Sequence, residues 1–105
     1  MVQMPENPLL AALASADRSE RDRIIANRNV LFGLWAADRP GVTGTAREAY
    51  AMSVHFADLE APGLDDVIAK VRRDFLAAGL EAGDSMLRAQ LKEMQERAAL
   101  ALDPL

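Results

Sequence analysis

The chain has 105 residues, no cysteine and a formal net charge of -4. Without thiols there can be no disulfide, thiolate metal site or cysteine nucleophile. The mildly acidic balance excludes the basic face that nucleic-acid phosphates demand. Half the residues are hydrophobic but only 5% are aromatic, which favours helices over strands, because β-branched and aromatic residues are the strand formers. A chain of this length is expected to form one domain around one modest core.

Taken in order, Pro5 and Pro8 mark an irregular start. Residues 1–16 are expected to be an irregular or partly helical N-terminal segment, mobile or projecting, and residues 17–105 a four-helix domain. A short turn over residues 9–14 is expected, with Pro8 at a favourable first helical position. The stretch "PLLAALASA" faintly resembles a signal peptide, but no Lys or Arg precedes it, a proline opens it and the apolar run is short. A cytoplasmic protein is expected. No apolar run approaches the roughly 20 residues of a membrane span, so membrane insertion is not expected.

The first full helix is expected to start at Asp17 or Ser19, either of which can cap it. It should stop by Arg39, since the residue before Pro40 avoids the helical region. From Val30 to Ala37 it is apolar or glycine throughout, the pattern of a helix enclosed by others. Leu31, Leu34 and Trp35 are assigned to the core, and Gly33 to a close approach by a neighbouring helix. Residues 17–29 are mostly charged and should project or fray.

A second helix is expected from Thr43 or Thr45 to about Glu60, with Thr45 and Glu48 spaced as a capping box. Its apolar face is read as Ala46, Ala49, Tyr50, Val54 and Ala57. A third spans about 64–78, with the stripe Leu64, Val67, Ile68, Val71, Phe75 and Ala78 and Gly79 as its stop. A fourth runs from Asp84 or Ser85 to about Leu102, with Leu87, Leu91, Met94, Ala98 and Leu102 on one face. One-sided helices of this kind are not stable alone and must pack together. The fold class is therefore all-α, a single small four-helix bundle, with Tyr50, Val67, Val71, Phe75, Leu87 and Leu91 joining the core.

Residues that carry chemistry do not converge. His55 is the only histidine and is read as a surface residue beside Glu48. One histidine without cysteines does not make a usual zinc site. Asp65 and Asp66 read as first-turn acids favoured by the helix dipole. Ser53 and Ser85 lack a triad context, and the glycines are scattered between helices with no phosphate loop. No catalytic, metal or cofactor-binding residue is assigned. The alternation of Arg18, Arg21, Arg23 and Arg28 with Asp17, Glu20 and Asp22 reads as a solvated helix face. A polar, projecting helix on a packed bundle is suited to a groove on a partner.

The run "RNVLFGLWAADRPG", residues 28–41, resembles the signature of the ATP synthase zeta inhibitor family of alphaproteobacteria: Arg-Asn, a short apolar run, then Gly-Leu-Trp-Ala-Ala. The resemblance continues through "EAYAMSVHFADLEAPGLDDVIAKVRRDF", residues 48–75, and fades towards Ala98. It implies a four-helix fold and a small regulatory subunit, not an enzyme. Such a subunit binds the catalytic head of the F-type ATP synthase and blocks hydrolysis with an N-terminal helical arm. On that reading Arg18, Arg21, Arg23, Ile24, Ile25 and Arg28 make the arm's contacts, and the free protein is a monomer. No cofactor is required, and weak binding of an adenine nucleotide is permitted. Upstream of Asp17 the chain lacks the family's Phe-Asp-Asp-Arg opening and its aromatic anchors. The alternative is a non-inhibitory helical binding module with another partner.

Overall fold

The computed structural model describes residues 8–60 and 63–102, with the side chains of 19–60 and 63–101. Four helices follow one another: α1 (Pro8–Asp38), α2 (Gly44–Glu60), α3 (Leu64–Ala77) and α4 (Asp84–Leu102). No strand occurs among the described residues. The protein is an all-α four-helix bundle in which α1 packs mainly on α2 and α4, while α3 bridges those two and barely touches α1.

The expected pause before Asp17 does not exist. α1 is one helix from Pro8, 31 residues long, or about 46 Å. Pro8 opens it, at the position where a missing N–H costs nothing. No glycine or proline lies between Pro8 and Gly33 to break it. Pro5 lies outside the described residues.

Two glycines end helices in the same way. At the end of α3, Gly79 takes φ 77°, its N–H donates to the Leu76 carbonyl at 3.1 Å, and the Leu80 N–H donates to the Phe75 carbonyl at 2.8 Å. At the end of α1, Gly41 takes φ 84°, with Gly41 N–H to Asp38 carbonyl at 3.1 Å and Val42 N–H to Ala37 carbonyl at 3.0 Å. Both are the paired bonds that satisfy orphan carbonyls at a left-handed stop. α2 begins at Gly44, which leaves Thr45 inside the helix rather than before it.

The core is formed by Phe32, Ala36, Val54, Val67, Ile68, Val71, Phe75, Leu87, Leu91 and Met94. Of the expected core residues, Val67, Val71, Phe75, Leu87 and Leu91 are buried. Leu31, Trp35 and Tyr50 are half-buried and packed against the cluster. Leu34 is half-buried and outside it, because it lies about 200° around the helix from both Phe32 and Ala36. Thus α1 is not enclosed on all sides. Its central residue is Phe32, at 0% exposure, and Trp35 stacks on it with ring centroids 5.6 Å apart. Trp35 also meets Phe75 at 5.9 Å and carries the Arg39 guanidinium 5.2 Å above its ring.

The face of α2 is rotated from the expected one. Ala51, Val54 and Asp58 are buried, whereas Ala46 and Ala49 are exposed. Asp58 sits four residues after Val54, on the buried phase, but a carboxylate was not expected to face inwards. On α3 and α4 the stripes are buried as expected, except that Leu64 and Ala78 are exposed at the ends of α3. The side chain of Leu102 lies outside the described residues. Gly33 does permit a close approach: a Cβ there would lie 2.6 Å from the Ala51 Cα. The α1–α2 crossing is therefore tighter than any side chain at residue 33 allows.

Candidate functional site

Two features stand out. One is a buried polar cluster where α1, α2 and α4 meet. The other is the half of α1 that precedes it.

The cluster is built on adjacent residues of α1. Arg28 is 5% exposed, Asn29 0% and Asp58 of α2 8%. The Arg28 guanidinium donates to Asn29 Oδ1 from Nε at 3.1 Å and from Nη2 at 2.9 Å. Its Nη1 donates to Gln95 Oε1 of α4 at 3.2 Å, and its Nη2 lies 3.8 Å from Asp58 Oδ2. Asn29 Nδ2 donates to the same Asp58 oxygen at 2.9 Å and lies 3.4 Å from His55 Nδ1. The other Asp58 oxygen accepts the Gly63 N–H at 3.2 Å, which ties in the start of α3. Among the described residues, no buried side-chain nitrogen or oxygen lacks a partner, as the low dielectric of an interior requires. Burial pushes the Arg28 guanidinium down from its ordinary range, and the Asp58 carboxylate opposes that shift.

Arg28 is therefore not a contact residue of an exposed arm. It points into the bundle because it sits one helical turn before Phe32, on the buried phase of α1. His55 is also not a free surface residue, since its Nδ1 edges the cluster. The remaining arm residues differ among themselves. Arg21 and Arg23 are exposed, as are Ser19, Glu20 and Asp22, while Ile24 and Ile25 are half-buried. The side chain of Arg18 lies outside the described residues, although its backbone is helical. Beside this stretch runs an open groove of about 500 Å³, lined by Asp22, Arg23, Ile25 and Ala26 of α1 and His55, Asp58 and Leu59 of α2.

A second polar group lies between α2 and α3. Tyr50 Oη donates to Asp74 Oδ2 at 2.7 Å, the same oxygen receives Lys70 Nζ at 2.9 Å, and Lys70 sits 5.3 Å over the Tyr50 ring. Burial first, then the bond to Asp74, pushes the Tyr50 hydroxyl above its ordinary range. Asp65, expected to serve the helix dipole, accepts Arg88 Nη2 at 2.6 Å, and Arg88 Nε bonds Asp84 at 2.6 Å. Those two acids raise the Arg88 pKa. Ser53 Oγ donates to the Tyr50 carbonyl at 2.6 Å. Among the described residues, no group of three or more His, Asp or Glu is placed to hold a metal, and no helix is long and apolar enough to cross a membrane.

Sequence reasoning missed the cluster as a unit. Its signal was available in phase: Arg28 and Asn29 continue the inward face of Phe32 and Gly33 one turn upstream, and Asp58 continues that of Ala51 and Val54.

Fold and site together define a small helical protein whose buried polar side chains, among the described residues, bind one another, and whose first helix is much longer than the other three. Residues 12–101 match the ATPase inhibitor subunit zeta family, and the chain belongs to that family. The match reaches sixteen residues further upstream than the resemblance that began at Arg28, into the N-terminal half of α1. Comparison with curated proteins finds no match. Arg28, Asn29, Gly33, Trp35, Tyr50 and Asp58, which lie within the motifs of the resemblance, all make internal contacts. Those motifs record how the bundle is built.

Proposed function

We propose that the protein is a regulatory subunit of the ATP synthase that binds the catalytic head and blocks ATP hydrolysis sterically, through the N-terminal half of α1. Family membership supports the class of partner. The observation that carries the arm reading is the unbroken α1, with the side chains of residues 19–23 all exposed. An uninterrupted helix enters a groove with little further ordering cost. Arg21 and Arg23 are the exposed cations of this stretch. Ile24 and Ile25 offer apolar surface at its base.

The action needs no catalytic group and no cofactor on this chain. The free protein is taken as a cytoplasmic monomer with no role at nucleic acid or lipid. Weak adenine-nucleotide binding by the bundle is read by titrating ATP and following Trp35 fluorescence.

The test is hydrolysis by the purified ATP synthase head with the full chain added, alongside Arg21→Glu/Arg23→Glu. Inhibition by the first and its loss in the second is the expected result. No binding and no rate change at micromolar concentration would sink the reading. A second reading rests on the exposed row Met52, Phe56 and Leu59 on α2, one apolar face at helical spacing. If the double variant still binds the head, this face of the bundle makes the contact instead of the arm.

A further inference from the structure

We propose that the buried cluster of Arg28, Asn29, Asp58, His55 and Gln95 is an orienting device that sets the direction in which the N-terminal half of α1 leaves the bundle. Its functional consequence rests on the arm reading above; its structural content does not.

The position of the cluster is the first observation. Among the residues with described side chains, Arg28 is the first of α1 to be buried, and 19–23 are all exposed. The cluster thus stands where the buried residues of α1 begin, a short way after the exposed stretch 19–23. The second is the groove of about 500 Å³ immediately upstream, between α1 and the end of α2. Along this groove open space separates α1 from the end of α2, so contact between these two helices does not by itself fix the tilt there. The third is the nature of the bonds. The cluster reaches α2 through Asp58, α4 through Gln95 and the start of α3 through Gly63. Directional bonds to three elements fix both rotation and tilt, whereas the small residues at the Gly33–Ala51 crossing fix only closeness. Buried polar groups add little net stability over a well-packed apolar replacement, and their best-attested use is to specify register.

The chain has no native cysteine, so Glu20→Cys and Lys92→Cys place one spin label on the exposed half of α1 and one on α4. The distance distribution between them, measured by pulsed electron resonance on the full chain, is expected to show one narrow peak. In the background Arg28→Met/Asn29→Leu/Asp58→Leu, the helix content and melting temperature are expected to hold while the narrow peak is lost. If that variant does not fold, Asp58→Asn serves, with a smaller broadening. A folded variant of either kind that keeps the narrow peak overturns the proposal. In the hydrolysis assay, an arm held correctly in a tenth of molecules raises the half-inhibitory concentration about tenfold. A broadened arm that inhibits as well as the unmodified chain overturns the functional role of the cluster. An unmodified chain that fails to inhibit overturns the arm reading alone, and the distance measurement still decides orientation.

Discussion

The two halves of α1 are one helix with two different reasons to exist. From Arg28 to Asp38 the helix is held by its neighbours: Phe32, Gly33, Ala36 and Ala37 face inwards, and tertiary burial supplies most of the stability of such a segment. From residue 19 to 23 every side chain is exposed, so the helix there is carried by continuity and by the absence of breakers. The comparison shows that a packed half can extend an unpacked one, because propagation adds one bond per residue while nucleation has already been met.

Mutations test this contrast, the largest effect first. Phe32→Ala empties the centre of the packed half and is expected to cost about 3–5 kcal/mol, read as a lower denaturant midpoint. A loss below about 1 kcal/mol would place the centre elsewhere, with Trp35 the next candidate. Gly33→Ala drives a Cβ towards the Ala51 backbone. Overpacking outweighs the gain in helix propensity, for a net loss of ~1–2 kcal/mol. A stabilised variant would show that α1 and α2 can separate freely.

Tyr50→Phe is expected to cost about 1 kcal/mol at neutral pH, the usual worth of one hydrogen bond. Its pH dependence is the sharper readout. The Tyr50 hydroxyl is pushed above its ordinary value of 10.0, so its contribution is complete below that pH and is lost as pH rises beyond it. The native chain should lose more stability than Tyr50→Phe between neutral and strongly alkaline solution. Parallel melting curves across that range would remove the coupling.

At the other extreme, Glu20→Ala in the exposed half should change stability by no more than ~0.5 kcal/mol. A larger loss would mean that this half is packed after all. Amide exchange should divide at the same boundary, with slow exchange at residues 30–37 and fast exchange before residue 24.

Much of the fold could be read in advance, for reasons that lie in particular residues. Val67, Val71 and Phe75, and Leu87 and Leu91, are one-sided stripes of unambiguous period. Pro40–Gly41 and Gly79 stop helices wherever they stand, because only glycine takes the left-handed turn at no cost. Polar residues on a buried phase were read wrongly. Arg28 reads as outward-facing because burying a charge is costly in isolation, and no local pattern reveals the partners that offset the cost. The join of residues 8–16 to the first helix was missed for the opposite reason: two prolines near the start suggested a break, although Pro8 is favourable where it stands.

By itself the sequence determined that this protein is helical, where three of its four helices begin and end to within a residue or two, and which apolar stripes must meet. These follow from period, breakers and propensity, all of which act within a few residues along the chain. Tertiary structure alone decided that Asp58 and Gln95 would converge on Arg28 and Asn29, that α2 would turn Ala51 rather than Ala49 towards Gly33, and that Phe32 rather than Trp35 would lie at the centre. Each depends on how helices rotate against one another. That rotation is set by summed contacts between residues up to 67 positions apart, to which no local rule has access.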